Sequence, residues 1–351
     1  MRSASVMFVS ATQLHAAFIR LLVVLSLLVG VVTTSHAAPL SEEHRRAFAA
    51  MQEDPAPDEL IRNSHYWVSN ENVHDVYQEH IQNTGGVLMG VGADQVYLLA
   101  GWARPEILIP MDFDSSIRDI HFAYGAAFLS SPDIATFRSY WASDAEAKMA
   151  AALREHFSEA QATRSLTAWK QGSARILRRF GRIERRYETT RTPTFLTDAA
   201  TYNAMRSLWQ EGRVFPLRGD VTGDKAMTSI AKAVKRTEQT VRVVYLSNVE
   251  QYIEYTPAVR RNFIDLPMDE KSWLLRTRPM ASLGLADEEC DYHYNMQRGL
   301  NFQQWLRVNR VPDGRTLLLR NLGRTGRQGL SEVRTEAPIS TPAPEIAATP
   351  R

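Results

Sequence analysis

Two glycines and a carboxylate have the residue types and the spacing of a nucleotide-binding turn. Gly90 and Gly92 follow the apolar run Val87–Met89, and Asp112 closes the next apolar run. A glycine turn lets backbone N–H groups approach a ligand at a helix N-terminus. A carboxylate about 20 residues further on can accept hydrogen bonds from ribose hydroxyls. The pattern predicts a ligand pocket and leaves open whether the pocket catalyses a reaction.

The elements that must position these residues alternate between strands and helices. A helix at Asp94–Ala103 separates the first two apolar runs, and another at Lys225–Lys235 separates two later ones. This alternation is typical of a parallel sheet. We expect a doubly wound, mostly parallel α/β sheet, with a helical insertion at residues 131–212 between strands two and three. The predicted strands are Val87–Met89, Ile107–Pro110, Arg213–Leu217, Thr240–Leu246 and Ser272–Leu275.

Polar residues follow these strands, and the topology predicts where they meet. In open parallel sheets, ligands bind beyond the carboxyl ends of the strands. Gln95 follows the glycine turn, and Asp220 follows the third strand. The sequence therefore assigns ligand binding to Gly90, Gly92, Gln95, Asp112 and Asp220.

Asn248 and Glu250, after the fourth strand, are the candidate catalytic residues. An amide and a carboxylate at a strand end can orient a polar substrate, and the carboxylate can act as a base. The same pattern is typical of a helix start, because Ser or Asn before Glu commonly caps a helix. No His-Glu-x-x-His spacing occurs, and we assign no metal ligand.

A second interpretation is a Mg²⁺-dependent phosphatase. Asp112 and Asp114 have the Asp-x-Asp spacing of a nucleophile and an acid, and Asp220 and Asp224 could hold the metal. The order of the strands argues against a phosphatase. In such enzymes the strand that ends in Ser or Thr precedes the Gly-Asp metal motif, whereas here the strand that ends in Ser247 follows that motif, at residues 219–220.

The N-terminus predicts export. Arg2 and Arg20 precede Leu21–Val32, an apolar block of about a dozen residues that is shorter than the roughly 20 needed to span a bilayer. Small residues before Ala38 suit signal peptidase, so residues 1–37 are predicted to be a signal peptide and the protein periplasmic or secreted. The alternative is an uncleaved inner-membrane anchor through residues 21–33.

The rest of the chain reads as one α/β domain at residues 38–330 and a disordered, proline-rich tail at 331–351. The net charge of +2 implies no nucleic-acid partner. The basic stretch 164–191 predicts either a solvated helix face or a contact with an anionic membrane surface, and it raises a third interpretation, a non-catalytic interaction module. The oligomeric state is left open.

Several segments together resemble an uncharacterised bacterial family whose core is similar to the Rossmann fold of S-adenosylmethionine-dependent methyltransferases. They are GGVLMGVGADQ at 85–95, FPLRGD at 215–220, YLSNVEQYI at 245–253 and YHYNMQRGLNFQQWL at 292–306, within a resemblance that covers most of residues 65–310. The resemblance implies that Gly90, Gly92 and Asp112 face a cofactor and that Asp220 faces its adenine. It implies no activity, so the cofactor stays unknown, with S-adenosylmethionine named by fold analogy only.

Overall fold

The structure of the chain is a computed structural model, which describes residues 40–288, 291–308, 311–320, 323–325 and 327–338. The predicted signal peptide, the alternative anchor and most of the predicted tail lie outside the described residues. Among the described residues, no helix is both long enough and apolar enough to cross a membrane.

Among the described residues, eight strands form one sheet with the spatial order β3-β2-β1-β4-β5-β6-β8-β7. The first five strands are mutually parallel, and this part of the order matches the common dinucleotide-binding arrangement. β6 runs antiparallel to β5, and β8 runs parallel to β6. The expected α/β class with a mostly parallel sheet is therefore confirmed. The strands are β1 Val87–Val91, β2 Ile107–Asp112, β3 Leu217–Arg218, β4 Val241–Tyr245, β5 Trp273–Pro279, β6 Tyr292–Arg298, β7 Gly323–Arg324 and β8 Leu330–Val333.

Twelve α-helices in the described part of the chain flank this sheet. They are α1 Glu42–Ala49, α2 Gln78–Ile81, α3 Asp94–Ala103, α4 Ser115–Leu129, α5 Ile134–Ser139, α6 Glu146–His156, α7 Glu159–Thr189, α8 Ala199–Gln210, α9 Ala226–Arg236, α10 Pro257–Ile264, α11 Gly299–Arg307 and α12 Gly314–Arg320.

Both faces of the sheet are covered. Along β1, Leu88 packs into one apolar cluster, whereas Val87 and Met89 pack into the cluster on the opposite face. Alternate side chains of a strand point to opposite faces, so burial on both sides explains the nearly continuous apolar runs of the sequence.

Helices α5 to α8 occupy the chain between β2 and β3, within the range 131–212. The longest is α7, whose first turn is capped by the Ser158 hydroxyl, which accepts a hydrogen bond from the Gln161 backbone N–H at 3.3 Å. Its inner side carries Trp169, Ile176 and Phe180, all buried in the same cluster as Leu88.

The domain extends further along the chain than the sequence predicts. The disordered tail is predicted from residue 331, but Ser331, Glu332 and Val333 lie in β8 and are buried. The pairing of β8 with β6 explains this difference, because a short strand with few apolar side chains gains its backbone hydrogen bonds from a distant partner.

Candidate functional site

A cavity of about 980 Å³ opens at the carboxyl ends of β1, β2 and β4. This is the edge of the sheet at which open parallel folds bind ligands. Five of the predicted site residues line it, whereas Gly90 and Glu250 are not among the lining residues. The five are Gly92, Gln95, Asp112, Asp220 and Asn248.

The two glycines of the turn have different roles. At Gly90, an added Cβ would lie 3.0 Å from Val96 Cγ1, so this glycine allows α3 to pack closely against β1. Gly92 has φ +100°, a backbone conformation that favours glycine. Its carbonyl lies 2.9 Å from Nε2 of the buried His121, and this contact holds the turn in place.

Gln95 carries an unpaired polar atom next to this turn. Its Nε2 donates to the Val91 carbonyl at 3.3 Å, which sets the orientation of the amide. Its Oε1 is buried and has no hydrogen-bond partner among the described residues. A buried acceptor without a donor is costly, and because Gln95 lines the cavity, a ligand can supply the missing donor once the amide rotates.

Asp112 ends β2 and is buried at the cavity wall. One carboxyl oxygen accepts from the Asp114 backbone N–H at 3.0 Å. Burial raises the pKa of the Asp112 carboxyl to about 7, although hydrogen bonds from backbone N–H groups, including those of Gly92 and Phe113, lower it. The carboxyl therefore changes charge near neutral pH.

Asp114 and Asp220 also line the cavity, and both bond to their own loops. Asp114 caps α4 by accepting from the Ser116 N–H at 2.8 Å, and its other oxygen lies 2.6 Å from His65 Nδ1. Asp220 accepts from both the N–H and the hydroxyl of Thr222 at 2.8 Å. No group of three or more His, Cys, Asp or Glu side chains arranged to hold a metal ion occurs in the described part of the chain.

The two candidate catalytic residues are separated by the fold. Asn248 lines the cavity and precedes a 3₁₀ turn, Val249–Gln251, without capping it. Glu250 is buried away from the cavity, where it forms an ion pair with Arg276 at 3.1 Å and accepts from the Tyr255 hydroxyl. Glu250 therefore holds together β5 and the segment after β4.

A loop from Ile61 to Asn72 forms much of the cavity wall, and none of the predicted site residues lies in it. Its backbone is tied to α3 and α7. The Ser69 N–H donates to Asp94 Oδ1 at 2.8 Å, and the buried Arg179 pairs with Asp94 Oδ2 at 2.8 Å. Arg179 also donates to the Glu71 carbonyl at 2.8 Å. The signals that could have found this loop are a charge in the apolar helix α3 and an arginine on the inner side of α7.

The side chain of Glu71, a residue of this loop, lies in a fully buried polar network. It accepts from the Ser247 hydroxyl at 2.7 Å and lies 3.1 Å from His74 Nε2, and it also accepts from the hydroxyls of Thr277 and Tyr245. Burial acts to raise the pKa of Glu71, but these hydrogen bonds and the charge of His74 outweigh it and lower the pKa to about 2. The carboxylate therefore stays charged and ties the loop to the ends of β4 and β5.

A family model described as Domain of unknown function (DUF7790) matches residues 66–334. The chain belongs to this family. The matched range of the DUF7790 domain contains all eight strands and the second half of the loop over the cavity. No curated protein matches the chain.

The cavity of the DUF7790 domain is acidic. Among the described residues that line it, Arg62 is the one basic side chain, and four carboxyl groups accompany it: those of Asp112, Asp114, Asp220 and Asp291. A cavity with this balance of charge attracts cationic ligands and repels anionic ones.

The basic stretch of the DUF7790 domain divides between the interior and the surface. Arg179 is buried, whereas Arg164 and a group of four further arginines of α7 are exposed. Their spacing of three or four residues places them along one side of the helix. They are Arg175, Arg178, Arg182 and Arg185.

Proposed function

We propose that the cavity binds a small polar ligand with a nucleoside-like part and no phosphate, at the ends of β1, β2 and β4. The observation that carries the proposal is the buried, unpaired Oε1 of Gln95 beside the Gly92 turn. Gln95 lines the cavity, so a rotation of its side-chain amide would bring this oxygen to a ligand hydroxyl or amine at the turn. Asp112 lies at the end of the neighbouring strand, where its carboxylate would accept hydrogen bonds from ribose hydroxyls.

The charges around the glycine turn argue against a phosphate group. Phosphates are bound at helix N-termini because the backbone N–H groups and the helix dipole favour negative charge there. In this chain the first residue of α3 is Asp94, whose buried carboxylate already occupies that position and is paired with Arg179. A neutral or cationic ligand, such as adenosine or S-adenosylmethionine, therefore suits this turn better than NAD or a nucleotide.

The same cavity contains a group suited to proton transfer. A general acid or base works best when its pKa lies near the operating pH. Asp112, with a pKa of about 7, meets this condition, and Asn248, which lines the same cavity, would orient a bound substrate. We propose Asp112 as the group that would exchange a proton with the ligand if the protein is an enzyme.

A thermal-shift titration of the full chain tests the ligand class. The probes are adenosine, S-adenosylmethionine, S-adenosylhomocysteine, AMP, NAD, and Mg²⁺ with a phosphate analogue. A ligand at 100 times its dissociation constant stabilises the folded state by about 2.7 kcal/mol. We expect a shift with the adenosyl compounds that is larger than the shift with AMP or NAD.

Two matched variants locate the binding. Asp112→Asn should abolish the shift with adenosine, whereas Asp224→Asn, which removes the same charge from an exposed side chain outside the cavity lining, should keep it. A shift only with Mg²⁺ and the phosphate analogue would contradict this proposal and favour the phosphatase interpretation. No shift with any probe would show that the turn binds no nucleoside.

A further inference from the structure

Two aromatic side chains stand exposed at the cavity. Tyr66 is 43% exposed and Tyr252 is 47% exposed, and both line the cavity. Most large apolar side chains of the described residues are buried, so two exposed tyrosines on one cavity suggest a surface made for a ligand.

A third tyrosine is fixed beside them. The Tyr292 hydroxyl accepts hydrogen bonds from the side-chain amides of Asn70 at 2.6 Å and Asn248 at 3.5 Å. Tyr66 lies four residues before Asn70 and Tyr252 four residues after Asn248, so the two segments whose amides bond to Tyr292 also carry the other two tyrosines. All three tyrosines line the same cavity.

Within this tyrosine cluster, which consists of Tyr66, Tyr252 and Tyr292, Tyr292 lies far from Asp112. Tyr292 begins β6 and pairs with Pro279 at the carboxyl end of β5, whereas Asp112 ends β2. Four strand spacings separate β2 from β6 in the sheet, which corresponds to roughly 19 Å. A cavity of about 980 Å³ is near the upper end of ligand pockets, so it has room for a second group.

We propose that the tyrosine cluster is a binding subsite for an organic cation, with a quaternary ammonium or similar group held against the ring faces. Aromatic faces attract cations, and aromatic cages recognise quaternary ammonium groups in this way. Asp291, next to Tyr292, also lines the cavity, and the acidic lining favours positive charge throughout. The subsite shares the cavity with the proposed nucleoside-like ligand but does not depend on it.

Calorimetric titration of the full chain with choline tests the proposal. The matched neutral probe is 3,3-dimethyl-1-butanol, which has the shape of choline without its charge. We expect choline to bind at least about tenfold more tightly than the neutral probe. Equal affinities, or no binding of choline, would overturn the proposal.

Variants of the exposed ring separate the subsite from the nucleoside site. Tyr252→Leu should weaken choline binding at least about tenfold, whereas Tyr252→Phe should keep it because the ring face is retained. Since Tyr252 is half exposed, both variants should fold, which their melting temperatures would verify. Asp112→Asn should abolish adenosine binding and leave choline binding in place. Unchanged choline binding in Tyr252→Leu would contradict the assignment of the cluster.

Discussion

The substitution Asp112→Asn should stabilise the protein, and by an amount that depends on pH. The pKa of this carboxyl rises from 3.8 to about 7 on folding because the group is buried. A raised folded-state pKa of an acid means that the unfolded chain loses its proton first as the pH rises. Stability therefore decreases between pH 3.8 and pH 7, by about 4 kcal/mol in total at about 1.36 kcal/mol for each unit of pKa.

Asparagine has nearly the shape of the protonated carboxyl and cannot ionise. At pH 5 the native carboxyl is mostly protonated, whereas at pH 8 it is mostly charged, and about 2.5 kcal/mol of the loss falls between these two values. The free energy of unfolding of Asp112→Asn relative to the unsubstituted protein should therefore increase by about 2.5 kcal/mol from pH 5 to pH 8.

Urea unfolding at the two pH values measures this difference. The exposed Asp224→Asn is the control, and its effect should stay within about 0.5 kcal/mol at both pH values. If the advantage of Asp112→Asn is the same at pH 5 and pH 8, the carboxyl ionises as it does in water. The proposed role in proton transfer would then lose its physical basis.

Three other substitutions test the remaining parts of the argument. Glu71→Gln should lower the free energy of unfolding by about 3 kcal/mol at pH 7 and by about half as much at pH 3, as urea titration would measure. The reason is that the lowered pKa of Glu71 stabilises the folded state fully above pH 4.5, and this stabilisation is lost as the pH falls through 2. Gly92→Ala places a Cβ 1.9 Å from Gln95 Nε2 at a positive φ, so it should cost about 1–3 kcal/mol of stability and weaken adenosine binding in calorimetry. We propose that the exposed arginines of α7 contact anionic membranes. The double variant Arg178→Glu/Arg182→Glu should then bind anionic vesicles at least about tenfold more weakly in a sedimentation assay, because each arginine near the surface contributes about 1 kcal/mol. Equal binding of the variant and the unsubstituted protein would exclude this contact.

The parallel half of the sheet could be predicted because its signals are local. Each of β1, β2 and β4 is an apolar run covered on both faces, and each is followed by polar residues. The antiparallel half could not be predicted in the same way. β6 contains buried polar residues such as Asn295 and Gln297, which pair with the buried Arg276, so its composition does not resemble that of a core strand.

The residues of the candidate site also differ in whether the sequence could predict them. Gly92, Gln95 and Asp112 lie within one strand-turn-helix-strand unit, and their spacing along the chain is enough to place them together. Glu71 could not be found from its neighbours in the sequence. Its partners Ser247 and Thr277 are 176 and 206 residues away, and only the folded sheet brings them together.

Arg179 shows why the composition of a basic stretch does not reveal which of its arginines are exposed. It follows Ile176 by three residues and precedes Ile183 by four, so the helical period places it on the buried side of α7. There it binds Asp94 at the start of α3 and the backbone of the cavity loop at Glu71, while Arg178 beside it remains exposed. One helix therefore does two separate things: its buried arginine fixes the wall of the cavity, and its exposed arginines set the charge of the surface. A change in the exposed arginines can alter surface binding without disturbing the ligand site, because the residue that supports the site is on the other side of the helix.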